Sequence, residues 1–205
     1  MRSLFWQSVT YIYENKITEA LKLHKEYQSI AEQDKRLSNY RIWAYANFGN
    51  IHTELGDPVE GLKYYNKAID LIDKVELGQS EKETIIFNSI QWQANALIAQ
   101  GELEKAKEIL QNYEQQGTTK EDKAKEKTLN LLRARLAMAE GNDDAALELL
   151  SNADASNPMV VYYQAIIHEK KGDKDKASEL YQKLEEWTDN SIDLAFVRNK
   201  MSKKL

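Results

Sequence analysis

The sequence predicts an all-α protein of about five antiparallel helix pairs followed by a C-terminal capping helix. Three observations predict it. Half of the 8 glycines recur in one context, Gly56-Asp57, Gly101-Glu102, Gly141-Asn142 and Gly172-Asp173, each closing an apolar helical run. Apolar residues between these marks recur at steps of three and four, the signature of one helix face, and no comparable stretch alternates with period two. With 8 Gly and 2 Pro in 205 residues, the chain has too few turn-formers for an all-β fold.

Each turn has the same sequel. A small residue stands five positions after the turn residue, at Gly61, Ala106, Ala146 and Ala177, and a large one follows at Tyr65, Leu110, Leu150 and Tyr181. Glycine permits the left-handed backbone that ends a helix. The Asp, Glu or Asn after it can accept from the N–H groups opening the next helix. The small residue then lets two helix backbones approach closely.

The first pair, over 2–33, turns at Asn15, the other residue that tolerates left-handed backbone, with Ala20 and His24 behind it. The second, over 38–76, carries the cap Asp57-Pro58 and the face Leu62, Tyr65, Ile69 and Ile72. The third, over 80–116, opens on a capping box at Ser80-Glu81-Lys82-Glu83 and continues through Leu103, Ala106, Leu110 and Tyr113. The fourth, over 120–153, opens on Thr119-Lys120-Glu121-Asp122, a second capping box. The fifth, over 156–188, begins at Asn157-Pro158 and carries Ala177, Leu180, Leu184 and Trp187. A capping helix over 190–204 holds Ile192, Leu194, Phe196, Val197 and Met201, which cover the last pair's apolar face.

On these residues the chain resembles the tetratricopeptide repeat (TPR) family over nearly its whole length. The best copy runs from Tyr45-Ala46-Asn47-Phe48-Gly49-Asn50 through Gly56-Asp57 to Gly61, Tyr65 and Ala68, and later copies keep Ala94, Ala134 and Ala165 at the position of Gly49. Turn residues at 15, 56, 101, 141 and 172 are spaced by 41, 45, 40 and 31, against a usual repeat of about 34 residues. The resemblance implies one right-handed α-α superhelix over 1–205, with the first helix of each pair lining a concave, peptide-binding groove. In that register the groove candidates are Trp6, Trp43, Asn47, Asn50, Trp92, Asn95, Arg135, Tyr162 and Tyr163, with Phe5, Val9, Gln91, Leu131, Met138 and Ile166 beside them. Aromatic rings supply contact area at small entropic cost, and Asn amides can pair with a ligand's main chain. For any one tryptophan, packing between successive repeats is the expectation favoured over ligand contact. The family's dicarboxylate clamp is disfavoured, because its lysine positions fall on Ala46, Phe5 and Asn88.

Composition and motifs exclude several functions. Without Cys there is no disulfide, thiolate metal site or cysteine nucleophile. A formal charge of -5 and a pI near 5.4 argue against a nucleic-acid partner. No uninterrupted apolar run is long enough to span a bilayer, and the first residues lack the apolar core of a signal peptide, so a cytoplasmic protein is expected. No HExxH, GxSxG, P-loop or GxGxxG occurs. His24, His52 and His168 fall on core or inward repeat positions, so no catalytic residue, metal or cofactor is expected. Glu102, Glu104 and Glu108, interleaved with Lys105 and Lys107, read as a solvated face.

The expected function is a non-enzymatic protein-interaction module that takes a peptide or helix of another protein. Its rivals are a self-associating scaffold, in which the aromatic face is a homodimer contact, and a regulatory domain of a larger bacterial signalling protein extending upstream of Met1.

Overall fold

A computed structural model of the protein describes residues 2–34, 37–115, 123–188 and 190–203, with Arg2, Ser38 and Gln115 described in their backbone alone. All its regular structure is helical among these residues. The chain forms two compact units, Met1–Glu102 and Leu103–Leu205. The first contains α1 (Arg2–Tyr13), α2 (Ile17–Gln33), α3 (Ser38–Leu55), α4 (Pro58–Ile69) and α5 (Gln79–Gln100). The second contains α6 (Leu103–Gln115), α7 (Lys123–Ala139), α8 (Asp143–Ser151), α9 (Pro158–Lys170), α10 (Lys174–Glu185) and α11 (Ile192–Ser202).

The predicted turn residues all adopt left-handed backbone. Gly56, Gly101, Gly141 and Gly172 have φ of 112, 78, 80 and 82°, and Asn15 follows at 57° as the one positive-φ non-glycine among the described residues. Behind them the predicted caps close: Asp57 accepts from the Glu60 N–H at 3.1 Å, Asn142 from Ala145 at 3.4 Å and Asp173 from Lys176 at 3.3 Å. Asn157 accepts from the Met159 N–H at 2.8 Å and Ser191 from Leu194 at 3.2 Å, opening α9 and α11.

The Ser80–Glu83 capping box does not form. Helix α5 begins one residue earlier, with Gly78 at its N-cap and no side chain capping it. Ser80 therefore lies inside the first turn, where its carbonyl accepts from Thr84 Oγ1 at 2.9 Å. The Thr119–Asp122 box lies outside the described residues. Two apolar faces also run one step past their helices, since α4 ends at Ile69 and α10 at Glu185. The chain carries Ile72 and Trp187 onward in turns bonded back to Ile69 and Leu184.

The tightest crossing in the first unit joins α3 to α4. A Cβ on Gly49 would lie 2.2 Å from the Tyr65 ring, and one on Gly61 would lie 2.2 Å from Thr53 Oγ1 and 3.0 Å from the Gly49 carbonyl. Two glycines are thus needed where the third to fifth pairs use alanine. Around this crossing Ile42, Ala46, Tyr65, Ala68, Ile85, Trp92 and Ala96 form a core. The second unit has its own core, with Ala134, Ala146, Leu150, Ala165, Ile167, Leu184 and Val197 among its buried members.

Candidate functional site

In the first unit α3 and α5 each turn one half-buried, polar face outward from the core. On α3 it comprises Asn39, Trp43, Asn47 and Asn50, spaced by four, four and three residues; on α5 it comprises Asn88, Gln91 and Asn95, spaced by three and four. The two faces meet at an aromatic contact. The Trp43 and Trp92 rings stand edge to face with centroids 5.9 Å apart, and Trp92 stacks on Tyr65 at 5.9 Å and 9°. Trp92 is 7% exposed and belongs to the core. Packing between repeats accounts for it, and Trp43, half-buried at its edge, is the ring with a free side.

The amides differ in how they are held. Tyr65 donates its hydroxyl to Asn50 Oδ1 at 2.8 Å, and Gln91 donates to Asn88 Oδ1 at 3.1 Å. Asn39 donates to Glu81 at 3.1 Å. Asn95 Oδ1 is buried without a hydrogen-bond partner. The repeat register puts Leu110 where the second pair has Tyr65, so the sequence offers no hydroxyl to repeat the bond made to Asn50.

The other candidates divide. Trp6 is 39% exposed on α1, with Phe5 edge-on at 5.1 Å. In the second unit Tyr162 and Tyr163 are 5% and 8% exposed and sit in its core, while Arg135 is half-buried and lies 5.4 Å over the Tyr163 ring. Arg133, two residues before it, reaches Glu114 at 2.6 Å and Glu126 at 2.7 Å and is committed to structure.

The histidines are bound into the scaffold. His168 Nδ1 lies 3.0 Å from Asp173, and His52 lies 3.9 Å from Asp57. Each thus leans on the carboxylate that caps the next helix. His24 is buried, and its Nε2 is hydrogen-bonded to Ser8 Oγ at 2.8 Å between Phe5, Tyr27 and Phe48. Burial lowers its pKa from 6.5 to about 4.

Sequence spacing did not reveal two features. One is the Ser8–His24 bond across α1 and α2. The other is an aromatic ladder in which Tyr64 of α4 stacks on Phe48 at 4.8 Å, His52 at 5.4 Å and Tyr45 at 6.4 Å, under the Lys67 ammonium at 4.8 Å. The recurring large residue after the small one pointed to Tyr65 and passed over its neighbour. No group of three or more His, Asp or Glu able to hold a metal occurs among the described residues. None of the described helices is long and apolar enough to cross a membrane.

Two tetratricopeptide repeat family models match the chain, one at residues 44–74 and the other at residues 160–186. Both stretches hold a left-handed glycine followed by a capping Asp. No curated protein matches. Among solved structures the chain is similar to the nearly identical TPR-like repeats of a Podosopora anserina protein described as a kinesin light chain, at 18% identity and a TM-score of 0.53, covering 99% of this chain and 95% of that one. A variant of those repeats matches with 18% identity and a TM-score of 0.54, over 98% of this chain and 96% of that one. At that identity the likeness is one of fold. Two matches in register with the observed turns, on a fold shared with TPR-like repeats, show that this chain carries tetratricopeptide repeats at 44–74 and 160–186, repeats of a kind through which proteins contact one another.

Proposed function

We propose that the chain is a non-enzymatic interaction module that holds a peptide or helix of a partner protein on the faces of its first helices. The observation that carries this reading is the pair of half-buried faces on α3 and α5. There Trp43, Asn47, Asn50, Asn88, Gln91 and Asn95 are neither core nor freely solvated. Half-buried amides, of which Asn50, Asn88 and Gln91 are held by hydrogen bonds, offer donors and acceptors at low entropic cost, and a half-exposed tryptophan is an anchor. Trp6, on α1 of the same unit, is a further candidate, and Arg135, on α7, is a candidate within the second unit. Trp92 packs in the core of the first unit, and Tyr162 and Tyr163 in the core of the second.

The test is capture of partner protein by the full chain and by an Asn47→Arg/Asn88→Arg variant of equal helicity. A protein captured by the wild type and lost by the variant is expected. Equal capture by both would show that partners use another surface.

One observation favours a second reading, self-association. Trp6 and Tyr40 are large rings at 39% and 40% exposure, and exposed rings shared between copies would be covered in a homodimer. Mass by light scattering across concentration, with Trp6→Ala and Tyr40→Ala variants, separates the two.

A further inference from the structure

The first unit holds a cavity of about 300 Å³ formed by the end of α2, the first turn of α3 and the segment that follows α4. Its frame is set by backbone. Ala31, which is buried, and Glu32 lie in the last turn of α2, and Asp34 is the C-cap of that helix. In the segment after α4 the Lys74 and Val75 N–H groups both return to the Leu71 carbonyl, at 2.9 and 3.1 Å, and Val75 packs on the core around Ile72. That wall is therefore fixed without a ligand.

Arg41 lines the same cavity from α3. It is half-buried, its Nε is buried without a hydrogen-bond partner, and its side chain makes no ion pair among the described residues. A guanidinium so placed has lost water without gaining an acceptor, which costs stability until one is supplied. Glu32 does not supply it. Its Oε1 accepts from Gln28 at 2.9 Å and from the Tyr45 hydroxyl at 3.0 Å, which fixes the carboxylate and leaves Oε2 open. Lys74 and Glu76, both exposed, make no ion pair among the described residues, whereas Asp34 is already engaged.

The lining thus carries cations at Arg41 and Lys74 and carboxylates at Glu32, Asp34 and Glu76. An anion alone would face the carboxylates, and a cation alone would face the two positive groups. No metal-holding group of acidic side chains occurs among the described residues. A ligand that carries both charges close together satisfies both sets. We propose that this cavity binds a small zwitterion, an α-amino acid with an aliphatic side chain. Its carboxylate pairs with the Arg41 fork, whose geometry suits two oxygens at once, with Lys74 beside it. Its ammonium donates to the open oxygen of Glu32 and to Glu76. Ala31 and Val75 form the apolar part of the lining and take the aliphatic side chain. The volume lies at the small end of the range for ligand sites, about 300–1,000 Å³. None of these residues belongs to the partner-binding face, so either reading can fail alone.

The test is titration calorimetry of the full chain with alanine, valine and leucine, and with N-acetylleucine and leucinamide. It is repeated on Arg41→Gln, Glu76→Gln and Asn47→Arg/Asn88→Arg variants of equal helicity. Saturable binding of a free amino acid is expected. N-acetylleucine, which lacks the ammonium, and leucinamide, which lacks the carboxylate, should each bind about tenfold or more weaker than leucine. Arg41→Gln and Glu76→Gln should each lose about tenfold or more, while Asn47→Arg/Asn88→Arg binds as the wild type does. Equal binding of N-acetylleucine would reveal an anion site and equal binding of leucinamide a cation site, and either overturns the proposal. So would leucine binding that both single variants leave unchanged, or no saturable binding of any of the three amino acids up to about 10 mM.

Discussion

His24 shows how one residue's surroundings set a property of the whole fold. It is 1% exposed, its Nδ1 has no hydrogen-bond partner, and the groups around it are the Phe5 and Phe48 rings, the Ser8 hydroxyl and Tyr27, a phenol whose own pKa burial pushes up to about 12. Nothing there favours an imidazolium. In the unfolded chain the ring gains a proton near its ordinary pKa of 6.5, whereas in the folded chain it does so only near 4. The stability tied to neutral His24 is therefore complete above pH 6.5, falls as pH drops through the interval, and levels below 4. The full interval corresponds to on the order of 3 kcal/mol. Urea unfolding at pH 7 and pH 5 should show a loss of stability that shrinks in His24→Gln. An equal loss in both proteins would place the titrating group elsewhere. The repeat register marked His24 as a core residue from sequence alone. Its Ser8 partner was not legible, because a bond across two helices depends on how they cross and not on spacing.

At the level of elements, the turns were legible because few residues tolerate positive φ. Asn15 was recognised on the same ground as the four glycines. Replacing Gly141, at φ 80° with open space around a new Cβ, isolates the backbone term: Gly141→Ala should cost about 1–2 kcal/mol without disturbing packing. Gly61→Ala asks the opposite question, since its backbone is ordinary helix and a Cβ meets Thr53 Oγ1 at 2.2 Å. It should destabilise by about 1–3 kcal/mol, partly recovered by Thr53→Ala, as a double-mutant cycle in chemical denaturation would show. Asp173→Ala removes the α10 cap and the His168 partner together and should cost about 1 kcal/mol. The start of α5 was misread because Ser-x-x-Glu satisfies a capping pattern wherever it occurs. Which residue leaves extended backbone last is decided by the incoming chain, here at Gly78 with φ -64° and ψ 151°. The crossing of α3 on α4 was legible at Gly61 by its register, and the matching role of Gly49 follows from the Tyr65 ring that fills its missing side chain.

Across the molecule, the repeat made the fold class readable, while the site was readable only as a set of positions. The register named Trp92, Tyr162 and Tyr163 together with Asn47 and Asn50, and could not say which would be covered. Burial separates them: the first three lie in the cores of their units, and the amides remain half-open. That separation rests on three-dimensional packing, which a linear register does not carry. The charged second helices carry the solvated ion pairs, such as Lys63–Glu60 at 2.8 Å and Lys107–Glu104 at 2.8 Å, and exchanging such pairs for neutral residues should change stability by less than about 1 kcal/mol. The most direct test of the central claim is the side-chain amide spectrum of isotope-labelled full chain during titration with a peptide of a captured partner protein. The account predicts that the Asn47, Asn50, Asn88 and Asn95 NH2 resonances shift together and saturate at one affinity. Shifts confined to α2 and α4, with those four signals unmoved at saturation, would contradict it.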